Sequence, residues 1–347
     1  MKILVVANLY PNEAKPYWGT FVRECYLGYQ ENSIETDLCV IKGSGGGAYL
    51  TFYLCTFLKA LAGKYDVVHV HYVSHSVLPV LLAKFFRNFH LIVNFHGSDA
   101  FSEIHELPIK VKVKEFINKW AIKKARALVV PSEYFRKEIS DYYQVKKKIF
   151  VSPSGGVRND LFKPAEKFES SCLYVGRMIQ EKGAITAFNA VIKNRKGINK
   201  ACFIGDGEQK EKIIEQSRGY NIELIGLVSH KDLANTMSKY EFLLFPSVRK
   251  GESLGLLLVE AIFCGMIPLA IDNGAVKEVI HSDLHDMLIA PTPSNYSTHL
   301  SKLLSMSAEE RNSIKSKLIN HVLQRYDHEV VSSNLSAMVR EMVGDHE

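Results

Sequence analysis

Glu252 and Glu260, with seven residues between them in FPSVRKGESLGLLLVEAIFCGMIPLAI (Phe245–Ile271), are the strongest candidates for chemistry in the chain. An apolar strand runs to Pro246, a loop carries Glu252, and a helix starts near Gly255; Gly265 suits its C-terminal cap and Pro268 follows. Eight helical steps would set the two carboxylates about 80° apart. The pattern therefore assigns Glu252 to the loop and Glu260 to the helix. The amides of Ser253, Leu254 and Gly255 would open that helix, where unpaired donors and a positive dipole end suit a phosphate. A carboxylate accepts from two adjacent hydroxyls and so suits a ribose or hexose. A surface Glu252 and a helical Glu260 without a role would give the same spacing, but Glu260 sits inside an otherwise apolar run.

A second grouping is LYVGRMIQEKG (Leu173–Gly183): a strand ends at Gly176, Arg177 follows, and Lys182 comes five residues later. Such cations can clamp a diphosphate, Arg bidentately and Lys as a point charge, and can stabilise charge on it as it departs. Loop cations are common, so this pair gains weight only beside the glutamates. In FIGDGEQK (Phe203–Lys210), Gly205-Asp206-Gly207 makes a tight turn that lets backbone approach a ligand. It is not G-x-G-x-x-G, and the first strand is followed by NLYPNEAKPYWGT, which argues against a nicotinamide enzyme.

In the first half, Phe95-His96-Gly97-Ser98-Asp99 directly follows a strand, which would aim His96 and Asp99 into a cleft. A structural or solvated histidine is the plainer reading of His96 alone. Gly19-Thr20 lies in the loop after the first strand, where a glycine could admit a phosphate or sugar. His69, His71 and His75 in VVHVHYVSH invite a metal reading. Strand alternation can put His69 and His71 on one face, but no carboxylate is spaced to join them, and no metal site is expected.

The elements that must position these groups alternate along the chain. Apolar runs predict strands at Ile3–Ala7, Thr36–Ile41, Val67–His71, Leu91–Phe95 and Ala127–Pro131, with a helix at Phe21–Gln30. After a Pro-, Gly- and Ser-rich connection, Val151–Pro164, further strands follow at Leu173–Val175, Ala201–Ile204, Glu223–Ile225, Phe242–Phe245 and Ile267–Ala270. Between them, helices are expected at Glu181–Lys193, Glu208–Gly219, His230–Lys239 and Gly255–Cys264, and the chain from Ala308 reads as helical. Apolar strands separated by crossover helices imply an α/β fold with parallel sheets covered on both faces. The expected layout is two doubly wound Rossmann-like domains facing a central cleft, over residues 1–158 and 159–325, with a C-terminal helix 326–347 packing back toward the first.

Length and composition agree with that layout: 347 residues, 47% hydrophobic and 23% charged, allow a core in each half. The start lacks signal-peptide features and no apolar run reaches the length of a spanning helix. Six cysteines form no C-x-x-C pair, and most lie in apolar runs, as buried thiols of a reducing compartment would. Net charge is uneven: residues 1–155 carry 20 Lys and Arg against 13 Asp and Glu, or +7, and the remainder 23 against 24, or −1. Residues 110–148 alone hold 12 basic and 4 acidic residues. That asymmetry attracts anionic partners, although solvated helix faces would also produce it.

Together these residues resemble the retaining glycosyltransferases of family four, which have the GT-B fold. The resemblance runs through nearly the whole chain and rests on G-x-F-V in the first loop, F-H-G-S-D, V-G-R-x-x-x-E-K-G, G-D-G, and E-S-L-G-L-x-x-x-E followed by A-x-x-C-G-x-x-P. It implies that Arg177 and Lys182 bind the donor diphosphate, that Glu260 holds the ribose, and that Glu252 contacts the donor sugar beside the anomeric carbon. It places His96 near the reacting centre, and Gly205–Gly207 and Gly226–Val228, including Val228, around the nucleoside. Ser253-Leu254 replaces the family's frequent Gly-Phe, which alters the shape beside the donor sugar. The implied co-substrate is a UDP- or GDP-sugar, with no cofactor and no metal required. Retention by front-face attack is implied, with a diphosphate oxygen accepting the acceptor's proton, since no carboxylate matches a double-displacement nucleophile.

The acceptor is expected to be a saccharide, and lipid-linked if the basic stretch 110–148 and the segments Thr51-Phe52-Tyr53-Leu54 and Lys84-Phe85-Phe86-Arg87 meet an anionic membrane. The expected setting is the cytoplasm, at the inner face of the plasma membrane, in bacterial cell-surface polysaccharide synthesis. Competing readings are a nucleotide-sugar epimerase of similar shape and a non-catalytic sugar-binding protein. The second would not need the Arg177, Lys182, Glu252 and Glu260 set. No recognition motif supports nucleic acid as a partner.

Overall fold

The structure is a computed structural model that describes residues 1–13, 15–43, 45–101, 106–249 and 251–344. Two compact units divide the chain: Met1–Gly156 with the segment from His328 onward, and Val157–Asp327.

In the first unit six parallel strands, β1 (Lys2–Ala7), β2 (Glu35–Val40), β3 (Val67–His71), β4 (His90–Asn94), β5 (Ala127–Val130) and β6 (Ile149–Val151), lie in the order β2-β1-β3-β4-β5-β6. In the second, β7 (Ser171–Val175), β8 (Lys200–Ile204), β9 (Ile222–Ile225), β10 (Phe242–Phe245), β11 (Ile267–Ile271) and β12 (Ile289–Ala290) lie in the order β12-β11-β10-β7-β8-β9, also parallel. Ile3–Ala7 and Leu243–Phe245 are buried on both sheet faces, which is why they read as unbroken apolar runs. Each such side chain taken from water contributes about 1.5–3 kcal/mol.

Strand order reverses between β1 and β3 in the first unit and between β7 and β10 in the second. Loops leaving two such neighbours part in opposite directions, so ligands bind beyond their carboxyl ends. The chain from His328 forms a helix, His328–Gly344, against the helix Thr20–Glu31; Gly28 meets Ser332 there so closely that a Cβ would stand 2.5 Å from the serine's.

Several expected elements are shorter than their sequence patterns. The Glu181–Lys193 helix is a 3-10 turn, Gln180–Lys182, and a helix from Ala184, divided by left-handed Gly183, where a Cβ would strike the Pro246 carbonyl. The Glu208–Gly219 helix is confined to Lys210–Gln216. The helical end of the chain is two helices, Ala308–Tyr326 and His328–Gly344, broken at Asp327. The strands β6 and β12, of three and two residues, carry too little pattern to be read. Five cysteines are buried, as expected, and Cys55 is exposed.

Candidate functional site

Arg177 and Lys182 lie on the loop after β7, and Ser247 and Glu252 on the loop after β10, so both loops leave the second unit's reversal point. Backbone bonds fix them. Met178 N donates to Asp206 O at 2.7 Å, Gly176 N to Ile204 O at 3.0 Å, and Val248 N to Glu181 O at 2.9 Å. The Tyr174 hydroxyl donates to the carbonyls of Arg177 and Lys182, tying both ends of their loop. Gly205 must be glycine, because a Cβ would collide with the Gly176 carbonyl. Arg177 is thus clasped through its neighbours while its side chain is exposed and makes no ion pair among the described residues.

Lys182 Nζ lies 2.6 Å from Glu252 Oε2, which also accepts from Ser247 Oγ at 2.9 Å. Burial pushes the Glu252 carboxyl up, but the charge and hydrogen bond of Lys182, the Ser247 hydroxyl and the Arg249 charge outweigh it and hold the group below its ordinary value. Glu252 stays an anion here and Lys182 has its position set.

Glu260 is buried on the helix Leu256–Phe263, where Oε1 pairs with His230 Nε2 at 2.8 Å. His230 opens the helix after β9, packs edge-on against Phe162, and its Nδ1 is buried without a partner. Gly255 is the left-handed N-cap of the Glu260 helix, so the helical donors begin there and run into Leu256 and Leu257. The helix starts where its sequence pattern put it, but Ser253 and Leu254 precede it, so their amides are not its opening donors, and the Leu254 side chain is buried in the core. Asp206 is exposed, accepts from Gly207 N at 2.8 Å and pairs with Lys210 at 3.6 Å. Val228, after β9, packs partly buried against the core.

The first unit's candidates differ. Asp99 does not aim outward as expected. It is fully buried and accepts from His96 N and Gly97 N at 2.9 Å through one oxygen and from Val73 N at 3.0 Å through the other. Burial raises its pKa to about 6 despite those bonds. It therefore builds the loop that displays His96. His96 Nε2 meets His71 Nδ1 at 3.0 Å with the rings stacked, and Phe21 packs 4.3 Å from the His96 ring. Behind them His69 Nδ1 pairs with the Tyr29 hydroxyl at 2.9 Å. Burial drives His69, His71 (to about 3) and His96 down, so all three are neutral at physiological pH. Gly19 is the left-handed cap preceding Thr20, where a Cβ would stand 2.7 Å from the Leu9 carbonyl.

Among the described residues one grouping could hold a metal. Cys25 Sγ and ring nitrogens of His69 and His71 lie within 4.8 Å of one another, and Nε2 of both histidines has no partner. His75 is not part of it and pairs with Ser74 instead. Cys25 lies 44 residues before His69, on a helix whose packing no local motif announces. Tyr29 and His230 were likewise missed, because each acts through a pairing distant in sequence, and Ser247 because a serine five residues before Glu252 carries no signal of its own.

Residues 158–320 match the model for glycosyl transferases group 1, and residues 30–155 that for glycosyltransferase family 4. The chain belongs to this family of glycosyltransferases, and its fold is GT-B. A curated relative, an uncharacterized glycosyltransferase of Methanocaldococcus jannaschii, is 25% identical over 228 residues, which is 64% of this chain; the match spans 60% of the relative's length. Sucrose-phosphate synthase from Thermosynechococcus elongatus superposes with a TM-score of 0.82 at 16% identity, covering 99% of both chains. HepE of Anabaena, solved with UDP and glucose, superposes at 0.74 and 13% identity over 98% of this chain and 100% of its own.

Proposed function

We propose that the protein transfers a hexosyl group, with retention, from a UDP- or GDP-sugar to a saccharide acceptor. The observation that carries this reading is the Lys182–Glu252 pair that joins the β7 and β10 loops at their parting, with Arg177 exposed on the first loop and Glu260, paired with His230, on the helix that follows the second. The UDP and glucose bound by HepE support the donor class.

In this reading Arg177, Lys182 and the amides from Gly255 onward hold the diphosphate, with Ser253 and Leu254 lining the sugar. Glu260 accepts from the ribose hydroxyls, and Glu252 from the donor sugar. Gly205, Asp206, Gly207 and Val228 surround the nucleoside, Gly19 and Thr20 bind the donor, and neutral His96 supplies a hydrogen bond to the reacting groups. Asp99 positions His96. The acceptor hydroxyl attacks on the face the diphosphate leaves: the anomeric carbon–oxygen bond breaks, the glycosidic bond forms, and the proton passes to a diphosphate oxygen. Side-chain cations and helix donors supply the positive charge for the leaving group, so turnover is expected to need no metal.

The acceptor is a lipid-linked saccharide met at an anionic membrane on the cytoplasmic side, during assembly of a bacterial cell-surface polysaccharide. The +7 charge of residues 1–155 supports that setting. Product analysis by NMR after incubation with UDP-glucose or GDP-mannose and saccharide acceptors tests the reading. It predicts a product with the donor's anomeric configuration; an inverted product, or donor converted without acceptor as an epimerase would do, contradicts it.

A further inference from the structure

The sequence singled out Thr51–Leu54 and Lys84–Arg87 as apolar surface, and the structure redraws that surface. Phe52 is core and Tyr53 is half-buried. The exposed groups on the helix Gly46–Ala62 are leucines one helical turn apart, Leu50 (73%), Leu54 (57%) and Leu58 (51%). Phe85 and Phe86 are 64% and 70% exposed; Phe86 meets Phe57 of that helix edge-on, and Phe85 meets Trp120 of the helix Pro108–Lys124. That second helix bares its own stripe, Ile109, Val113 and Phe116. Exposed Lys110, Lys112, Lys119, Lys123 and Lys124 lie along it. Lys124 Nζ stands 6.0 Å over the Phe85 ring.

We infer that these three elements form one face of the first unit that beds into an anionic bilayer, with its leucine and phenylalanine tips in the acyl boundary and its lysines on lipid phosphates. No helix among the described residues is long and apolar enough to cross a membrane, so the contact is interfacial. Charge selects the occupant. A second copy on the same patch, related by a two-fold axis, would set these lysines against themselves, whereas an anionic lipid surface takes both the apolar tips and the positive rim. A cavity of about 370 Å³ beside the stripe is lined by Ile109, Val113, Ile117 and Lys110 together with Glu106, whose carboxylate pairs with Lys114 at 2.6 Å, so the phosphate contacts fall to the exposed lysines outside it. The inference rests on the proposed lipid-linked acceptor for its purpose, not for its observations.

Flotation of the full chain with vesicles tests it, with circular dichroism melts to show that each variant folds and with UDP-induced thermal shift measured separately. The wild type is expected to float at low salt with equal parts phosphatidylglycerol and phosphatidylcholine, and to stay behind with phosphatidylcholine alone. Replacing Lys112, Lys119 and Lys123 by Gln is expected to weaken binding about a hundredfold, about fivefold for each lysine. The combined Leu54→Ser, Phe86→Ser and Phe116→Ser variant is expected to lose flotation while keeping its melt. A wild type that never floats, variants that float like the wild type, or a dimer that these serines dissolve would each overturn the inference. A lost UDP shift with flotation intact would instead count against the transferase reading.

Discussion

The reversal point of the second sheet and the histidine column of the first stand at comparable places in two sheets of parallel strands, yet they are opposite in charge state. The second unit gathers ions: Lys182 against Glu252 at 2.6 Å, with Arg177 exposed on the same loop as Lys182. The first gathers neutral rings, His69, His71 and His96, all pushed below their ordinary value by burial. Strand order alone therefore does not dictate site chemistry. Burial and partners decide whether a titratable group at a strand end serves as a fixed charge or as a hydrogen-bonding ring. A charged diphosphate suits the first kind of site and a sugar hydroxyl the second.

The largest expected effect breaks the charged side. Lys182→Ala removes a cation from the leaving group and strands Glu252, so turnover is expected to fall roughly 100- to 1,000-fold, while Lys182→Arg keeps part of it. Initial rates at saturating donor check this. His96→Ala is expected to cost less, because a neutral ring supplies only a hydrogen bond.

Acid separates the two units next. A histidine whose folded pKa is depressed stabilises the fold above its unfolded value of 6.5, and that stability is lost as pH falls below it. Each contributes about 1.4 kcal/mol per pH unit. Asp99, raised to about 6 from 3.8, works in the opposite direction between those values. The net loss expected for the first unit is about 3 kcal/mol per pH unit between about pH 6 and 4, where Asp99 opposes the three histidines. In the second unit Glu252, held below its ordinary value, keeps its contribution until more acid conditions. Calorimetry from neutral to mildly acid pH should show the first unit's transition falling sooner; coincident shifts in both would contradict the burial argument.

Asp99→Ala leaves three buried backbone donors without their acceptor and is expected to destabilise the first unit by about 3 kcal/mol, with UDP affinity unchanged. Denaturant unfolding beside calorimetric titration separates the two outcomes. Smallest is Glu260→Gln, which keeps an acceptor but removes its charge and is expected to weaken UDP binding about tenfold.

How much of this was legible follows from where each signal lies. Strands such as Ile3–Ala7 are buried on both faces and announce themselves as apolar runs, and Gly265 marked a helix end that the Met266 N to Ala261 O bond at 2.9 Å completes. The residues of the second site were nameable because an acid inside an apolar run, or two cations beside glycines, is locally conspicuous. Asp99 was misjudged because a polar loop residue reads as outward until its backbone donors are counted. His230 carried no local signal at all, since its partner Glu260 lies 30 residues on. Leu50 and Leu58 were not singled out beside Leu54, because apolar spacing identifies a helix stripe but not what covers it.

The central claim is that Arg177, Lys182, Glu252 and Glu260 hold a nucleoside-diphosphate sugar, and calorimetric titration of UDP-glucose into wild type, Arg177→Ala and Glu260→Ala tests it most directly. Saturable binding by the wild type, weakened at least about tenfold in each variant, is the expected result. Unchanged affinity in both variants would contradict the account.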